Sequence, residues 1–340
     1  MSCGVEPTEK PGFSIPRLGT LITRAVAATG LDLRGLTILT EAATGAYATT
    51  AVIAAMAGAE RVYALARSSR YGSAREIEAS IHRLSTFMGV ADRITIVELI
   101  PDDLVRQIDI VTNSGHLRPL KAELINLLPD HAIVALMFEA WEFRPEDLDL
   151  DTCARRGIRV VGVNERHPAI DVFSFLGPLC VNQLHECGLA VHGSRLALLC
   201  DNPFAQSMLR GLEAGGASIE MFSKPGDLFR DDWDAIVVAM RPTSSPCICK
   251  ADAAYLSSVA PAGTPLVQFW GDVDRAAALA CGLNVWPPRE PGKGHMGVML
   301  SDIGPEPIVR LQTGGLKAAE WVHRGGGETP DGFAQFVRRP

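Results

Sequence analysis

The sequence has few of the features that mark membrane-bound, secreted or nucleic-acid-binding proteins. Its 340 residues contain no uninterrupted apolar run that could cross a bilayer, and the first twelve residues lack an apolar signal core. Lys and Arg number 32 against 39 Asp and Glu, giving a formal net charge of −7. Proteins that bind nucleic acids or anionic membrane surfaces usually do so through a positively charged face. We therefore expect a cytoplasmic protein that binds neither.

The sequence also lacks the cysteine spacing of a metal site. Eight cysteines are scattered along the chain, and no CxxC pair occurs among them. Cys247 and Cys249 are close, but their spacing is more typical of a reduced loop or strand end than of a metal or redox centre. We expect reduced thiols, as in the cytoplasm, and no bound metal.

The chain does contain a strand–helix alternation, and it contains it twice. Short apolar runs rich in Val and Ile, separated by helical segments, are typical of the buried strands of a parallel sheet. The hydrophobic fraction of 47% is sufficient for two cores. The pattern predicts an α/β protein with two Rossmann-like parallel-sheet domains in tandem and a cleft between them.

The predicted domain boundaries follow the interruptions of this alternation. The sequence predicts an N-terminal arm and helix over 1–35, a first Rossmann-like domain over 36–168, a linker helix over 169–188, a second Rossmann-like domain over 189–303, a C-terminal helix over 304–324 and a flexible tail over 325–340.

Ligands of open parallel sheets bind outside the carboxyl ends of the strands, so the residues that follow each strand are site candidates. Thr44 and Gly45 follow the first strand, where the glycine fingerprint of dinucleotide sites is incomplete. Arg67, Ser68 and Arg70 follow the second strand, where an NAD site carries an acidic residue. Their charge and hydroxyl suit a 2′-phosphate, which predicts NADP, or else NAD, as cofactor. The alternative interpretation is a solvated turn.

Polar and aromatic residues follow the next strands of the first domain. Structural loops favour small turn residues, so this composition indicates a binding surface. The predicted substrate-binding residues there are Asn113, Ser114, Gly115, Glu139, Trp141, Glu142 and Arg144.

The second domain offers a second set of candidates. The candidates for cofactor binding are Asp201, Asn202, Ser223 and Lys224, and the sequence leaves open which domain holds the cofactor. Arg241 and Trp270 follow the third and fourth strands as catalytic and substrate-binding candidates. His295 lies in a glycine-flanked loop, where an exposed imidazole is free to act as acid or base.

Several segments resemble the D-2-hydroxyacid dehydrogenase superfamily. They are residues 109–137, 147–163, 193–222, 234–243, 255–276 and 294–297. The resemblance implies a substrate domain followed by a nicotinamide-binding domain, with hydride transfer in the cleft between them. It implies that His295 is the proton donor, with Glu290 as its acidic partner. Trp270 occupies the position of the family's catalytic Arg, and Arg241 is an available cation for the substrate.

Three functional hypotheses remain open. The first is an NAD(P)-dependent oxidoreductase that acts on a small polar carbonyl or hydroxy substrate and forms a homodimer. The second is an S-adenosylmethionine-dependent transferase, since residues 39–45 and 91–98 loosely resemble that class, although Ala66 and Arg67 stand where the class has an acidic residue. The third is a catalytically inactive double-Rossmann protein that binds a ligand, in keeping with the replaced Arg and glycines.

Overall fold

The computed structural model describes residues 10–69 and 72–337. The chain divides into two compact units. The first unit comprises the chain up to Val172 and from Gly304 onward, and the second comprises Phe173–Ile303. The predicted α/β class is confirmed, because both units are built from strands that alternate with helices.

The N-terminal part of the first unit begins with a helix and continues as a strand–helix alternation. Its elements are α1 (Ile15–Thr29), β1 (Thr37–Glu41), α2 (Thr49–Met56), β2 (Arg61–Leu65), α3 (Ala74–Phe87), β3 (Ile94–Val97), α4 (Asp102–Val105), β4 (Ile110–Asn113), α5 (Ala122–Ile125), β5 (Ile133–Leu136), α6 (Leu150–Arg156) and β6 (Arg159–Val163).

The second unit repeats the alternation with fewer elements. They are α7 (Leu176–Glu186), β7 (Arg195–Leu199), α8 (Ala205–Ala214), β8 (Ser218–Phe222), β9 (Ala235–Ala239), α9 (Lys250–Val259), β10 (Pro265–Trp270), α10 (Arg275–Ala280) and β11 (Asn284–Trp286). The chain then returns to the first unit as α11 (Glu306–His323) and β12 (Ala334–Phe336).

The sheet of the first unit has the strand order β3-β2-β1-β4-β5-β6-β12. The first six strands are parallel, and β12 pairs antiparallel with β6. Apolar side chains cover both faces: Ile38 belongs to one core cluster and Leu39 to the other. The first six strands have the strand order of dinucleotide-binding sheets, and the order reverses between β1 and β4.

The sheet of the second unit is parallel and has the order β8-β7-β9-β10-β11. Numbered within the unit, this is 2-1-3-4-5, the other common order of doubly wound sheets, and it reverses between β7 and β9. On one face α7 packs against α8, and their backbones approach closely because Gly177 and Gly211 meet there. A Cβ on Gly211 would lie 2.4 Å from the Gly177 Cα.

Two predicted elements differ in the structure. The linker helix predicted over 169–188 is helical only over Leu176–Glu186, because Asp171 takes a positive φ of 46° and Phe173–Phe175 form a 3-10 turn. The tail predicted as flexible contains β12. It was missed because its pairing with β6, and not a local apolar pattern, makes it a strand.

In the part of the chain that the structure describes, no helix combines the length and the apolar character that a membrane span needs.

Candidate functional site

In the first unit, the carboxyl ends of β1 and β4 meet where the strand order reverses. Ile38 pairs with Ile110 and Leu39 with Val111. Continuing this register by two residues places Glu41 opposite Asn113. Open doubly wound sheets bind ligands at this point. Glu41 and Asn113 therefore stand at the position where the topology predicts a ligand.

Glu41 is a buried carboxyl whose protonated form is favoured. Burial raises the pKa of Glu41 to about 7, although a hydrogen bond with Ser114 and the positive charge of Arg118 act in the opposite direction. The hydroxyl of Ser114 lies 2.9 Å from that of Thr112, which lies 2.9 Å from that of Thr40. The Glu41 carboxyl thus ends a chain of buried hydroxyl groups.

Gly115 makes the position of Glu41 possible. A Cβ on residue 115 would lie 1.5 Å from the Glu41 Oε2, and the φ of Gly115 is +46°. Any other residue would collide with the carboxylate and strain the backbone. Gly115 is exposed, so Glu41 lies directly beneath a surface turn.

The Asn113 side chain is fully buried, at 0% exposure. Within the described residues, neither its Oδ1 nor its Nδ2 has a hydrogen-bond partner. A buried amide without partners costs free energy, and such groups are rare in folded proteins. The main-chain oxygen of Asn113 is paired, since it accepts a hydrogen bond of 2.9 Å from Arg118.

Arg118 lies beside Glu41 and Asn113, and it shares one carboxylate, that of Asp147, with Arg144. Burial lowers the pKa of its guanidinium. Its Nη1 lies 3.8 Å from an oxygen of Asp147, which also pairs with Arg144 at 3.1 Å. The Arg118 guanidinium also lies 5.1 Å from the centre of the Phe138 ring.

We define the polar floor as Glu41, Asn113 and Ser114. Asn113 and Ser114 were predicted from the sequence as site residues, whereas Glu41 and the neighbouring Arg118 were not. The available signal was an acidic residue at the end of the first strand, where dinucleotide fingerprints have glycine.

The predicted cofactor-binding residues of the first unit follow β1 and β2. Gly45 has a φ of +60° and opens the 3-10 turn that leads into α2, and Thr44 precedes it. Arg67 and Ser68 follow β2 and are exposed. The Ser68 hydroxyl accepts a hydrogen bond of 3.0 Å from the amide of Ala74, which ties this loop to the start of α3. Arg70 lies outside the described residues.

A second polar cluster follows β5 and β6. Glu139 is fully buried and receives hydrogen bonds from Trp141 and from Arg166, the latter at 3.1 Å. Glu142 accepts a hydrogen bond from the Glu139 amide at 3.3 Å. Burial, followed by the charges of Glu142 and Glu139, holds the pKa of Glu165 well above its usual value. This cluster is largely paired within itself.

In the second unit, the residues at the point of reversal contact each other. The Asn202 Nδ2 donates to the main-chain oxygen of Ala239 at 2.6 Å, and its Oδ1 accepts from the Phe204 amide at 3.1 Å. The Asp201 carboxylate accepts from the Arg241 amide at 2.8 Å. These side chains hold the loops after β7 and β9 together.

The remaining candidates after β8 are exposed. Lys224 pairs with Asp227 at 3.5 Å, and the Ser223 hydroxyl lies 3.4 Å from the same carboxylate. This arrangement closes a local turn.

The loop that carries His295 is fixed on both sides of the imidazole. The Trp270 indole donates to the Gly294 oxygen at 3.2 Å, and Asp272 accepts from the Gly294 amide at 2.9 Å. On the other side, the Gly297 amide donates to the Phe269 oxygen at 2.9 Å. His295 is exposed. Trp270, predicted to bind substrate, is 6% exposed and packs 5.0 Å from the ring of Phe204.

Glu290, predicted as the partner of His295, is exposed, and its charge acts on the Arg275 guanidinium. Its negative charge opposes the fall in the pKa of Arg275 that burial causes. Arg275 in turn donates to the main-chain oxygen of Pro287 at 2.6 Å. Among the described residues, no group of three or more His, Cys, Asp or Glu side chains could hold a metal ion.

Solved structures similar to this chain are two-domain α/β proteins. A dipicolinate synthase component from Bacillus halodurans is 14% identical with a TM-score of 0.54, over 83% of this chain and 96% of that one. The pyruvate reductase of Chlamydomonas reinhardtii is 13% identical with a TM-score of 0.52, over 88% and 99% of the two chains. A protein from Ralstonia solanacearum described as "putative D-3-phosphoglycerate dehydrogenase oxidoreductase" is 11% identical. Its TM-score is 0.51, over 87% of this chain and 97% of that one.

These likenesses confirm the predicted α/β fold with two Rossmann-like domains. At identities of 11–14% they establish the fold alone. No family model and no curated protein matches the sequence.

Proposed function

We propose that this protein is an NAD(P)-dependent oxidoreductase that acts on a small polar carbonyl or hydroxy substrate. The observation that carries the proposal is the strand order of the first unit, β3-β2-β1-β4-β5-β6, together with the polar floor at its point of reversal. A pyruvate reductase and a dehydrogenase homologue among the similar structures support the reaction class.

The residues of the first unit fit a dinucleotide better than those of the second. The turn at Gly45 leads from β1 into α2, as the phosphate-facing turn of such sheets does. In the second unit, the side chains of Asp201 and Asn202 are already bonded across the point of reversal. We therefore place the cofactor in the first unit, although the sequence resemblance implied the second. When bound, the nicotinamide cofactor would supply the hydride.

The loop after β2 supports NADP in preference to NAD. Arg67 is exposed at the position where NAD sites carry a carboxylate, and a guanidinium binds a phosphate through two parallel hydrogen bonds. The hydroxyl of Ser68 ties this loop to α3. Gly45 and Thr44 would face the pyrophosphate.

The proposal is tested by thermal unfolding with NADP, NAD and S-adenosylmethionine. A ligand at a hundred times its dissociation constant stabilises the folded state by about 2.7 kcal/mol. NADP is expected to give the largest rise in unfolding temperature. A rise with S-adenosylmethionine alone would support the transferase, and no rise with any of the three would contradict a nucleotide-dependent enzyme.

Arg67→Asp tests the cofactor preference. The substitution is expected to weaken NADP binding by about tenfold or more and to improve the relative affinity for NAD, because the carboxylate repels the 2′-phosphate and accepts from the ribose hydroxyl. The matched control is Arg83→Asp, which makes the same charge change at an exposed position on α3. An equal loss of NADP affinity in the two variants would show that only the net charge matters. The predicted 2′-phosphate site after β2 would then be wrong.

In this proposal, His295 is the proton donor, supported by its exposure and by the bonds that fix its loop. Glu290 and Arg241 stay predicted members of the catalytic group, and Trp270 contributes by holding Gly294. Asn113, Ser114 and Gly115 stay predicted ligand-binding residues. A homodimer and a cytoplasmic location are predictions from the sequence.

A further inference from the structure

The polar floor contains two buried side chains whose hydrogen-bonding capacity is unusual. Asn113 offers an amide donor and an acceptor that no described residue uses. Glu41 lies opposite it on the neighbouring strand, bonded to Ser114. The two groups come from different strands and converge only in the folded sheet.

We propose that Glu41 and Asn113 form a subsite for a neutral group that presents a hydrogen-bond acceptor and a donor side by side, the primary carboxamide of a nicotinamide ring. The inference rests on the proposed function, since it names the part of the cofactor that the floor recognises. It adds Glu41, a residue that neither the sequence motif nor the fold likeness assigns.

The chemistry of the two side chains selects a carboxamide. The Asn113 amide can donate to a carbonyl oxygen and accept from an NH₂ group, and both contacts are made at once by another primary amide. A protonated Glu41 carboxyl has the same two capacities. A site built to hydrogen-bond such a group rejects analogues that lack it, because its buried polar atoms are then left unpaired.

The Glu41 carboxyl argues against an anion at this position. Arg118 is the cation whose charge acts on Glu41, and Asp147 already pairs with it and with Arg144. Glu41 itself becomes negative when it loses its proton. A phosphate or carboxylate placed on the floor would meet the like charge of Glu41 above neutral pH.

The Glu41 carboxyl of the polar floor lies directly beneath an exposed residue, Gly115. Gly115 is exposed and sits against the Glu41 carboxyl, and it opens the short turn Gly115–Leu117. Because glycine has no side chain, Gly115 covers the Glu41 carboxyl with backbone atoms only, and Glu41 is 7% exposed. A ligand group at the carboxyl ends of β1 and β4 would approach Glu41 from the side of this turn.

The decisive variant is Asn113→Leu, which replaces the amide by an apolar group of similar volume. An Asn that serves only the fold would destabilise the protein when replaced. An Asn kept unpaired for a ligand should instead leave a more stable protein, since a buried unsatisfied group is removed. We expect the unliganded variant to unfold at a higher temperature than wild type. The matched control is Asn126→Leu at an exposed position of the same unit, which should not unfold at a higher temperature.

Three ligands separate the subsite from the rest of the cofactor site. They are NADP, its 3-acetylpyridine analogue, in which a methyl group replaces the NH₂, and 2′-phospho-ADP-ribose, which has no nicotinamide. Calorimetric titration of wild type should show about tenfold weaker binding of the analogue than of NADP, the value of one good hydrogen bond. Asn113→Leu should discriminate less between NADP and the analogue than wild type does, and it should bind 2′-phospho-ADP-ribose as wild type does.

The outcomes distinguish this inference from the proposed function. A wild-type protein that binds neither NADP nor 2′-phospho-ADP-ribose overturns the proposed function and the subsite with it. Normal NADP binding with a lower unfolding temperature or loss of folding in Asn113→Leu overturns the subsite alone, because Asn113 is then structural. An equal loss of affinity for NADP and for 2′-phospho-ADP-ribose in the variant also overturns the subsite alone.

Discussion

The strand order reverses in both units, but the polar side chains at the two points of reversal differ in their hydrogen bonding. In the second unit, the side chains of Asp201 and Asn202 bond to the loop after β9, so their polar atoms are satisfied by the protein. In the first unit, the Asn113 amide has no partner among the described residues, and the neighbouring Glu41 is buried with a raised pKa.

This difference is the energetic basis for the proposal that only the first unit binds a ligand at its point of reversal. Satisfied polar side chains stabilise a loop, whereas buried unsatisfied groups lower stability and persist in proteins chiefly at functional sites. The comparison therefore supports the proposed placement of the ligand in the first unit on energetic grounds, independently of any glycine motif. Three variants test it, in order of the expected effect.

Gly115→Ala should have the largest effect, because the new Cβ would lie 1.5 Å from the Glu41 carboxylate at a φ of +46°. We expect a loss of about 3 kcal/mol in the free energy of unfolding, from strain and overpacking together. Urea titration measures it. Gly45→Ala is the matched control, since its φ is +60° but nothing lies within 4 Å of the added Cβ. That variant should lose about 1 kcal/mol, and equal losses would show that Glu41 does not pack against Gly115.

Glu41→Gln should remove a pH dependence of stability. Burial raises the pKa of Glu41 from 4.5 to about 7, so the unfolded chain loses this proton at lower pH than the folded chain does. The wild-type free energy of unfolding therefore falls between pH 4.5 and about pH 7. Relative to the variant, the fall should be of the order of 3 kcal/mol, since each pKa unit corresponds to about 1.4 kcal/mol.

Urea titrations at pH 5, 6, 7 and 8 measure this difference. Glu60→Gln, an exposed position in the same unit, serves as the control and should keep the wild-type profile. Parallel profiles for wild type and Glu41→Gln would show that the pKa of Glu41 is not raised. Glu41 would then no longer distinguish the first unit from the second.

Asn202→Leu should have a smaller effect, opposite in sign to that of Asn113→Leu. It removes the hydrogen bonds to the Ala239 oxygen and from the Phe204 amide, and both main-chain groups lose a partner. We expect a destabilisation of about 2 kcal/mol in urea titration. A stabilising effect of Asn202→Leu would mean that the two points of reversal do not differ.

Most of the fold follows from local apolar patterns. The strands β2 (Arg61–Leu65) and β3 (Ile94–Val97) are short, mainly apolar runs of the kind from which the sequence predicted the strand–helix alternation. The prediction failed where distant contacts decide the conformation. The strand β12 exists because it pairs with β6, and its local sequence carries no strand signal.

The candidate site was only partly predictable. Asn113 and Ser114 stood out as polar residues after a buried strand, but nothing in the sequence showed that the Asn113 amide lacks a partner. Asp201 and Asn202 gave an equally strong sequence signal, yet in the structure they bond to the neighbouring loop. Sequence position alone does not distinguish a side chain held by the protein from one left for a ligand.

The sequence by itself determined the α/β class, the repeated alternation and the residues that follow the strands, because apolar periodicity and turn composition act over short distances. Only the tertiary structure decided the strand order of each sheet. It also decided that Glu41 and Asn113, 72 positions apart, lie opposite each other, because strand pairing joins residues that are remote along the chain. The burial that favours the protonated form of Glu41 arises from that same pairing, and no local pattern encodes it.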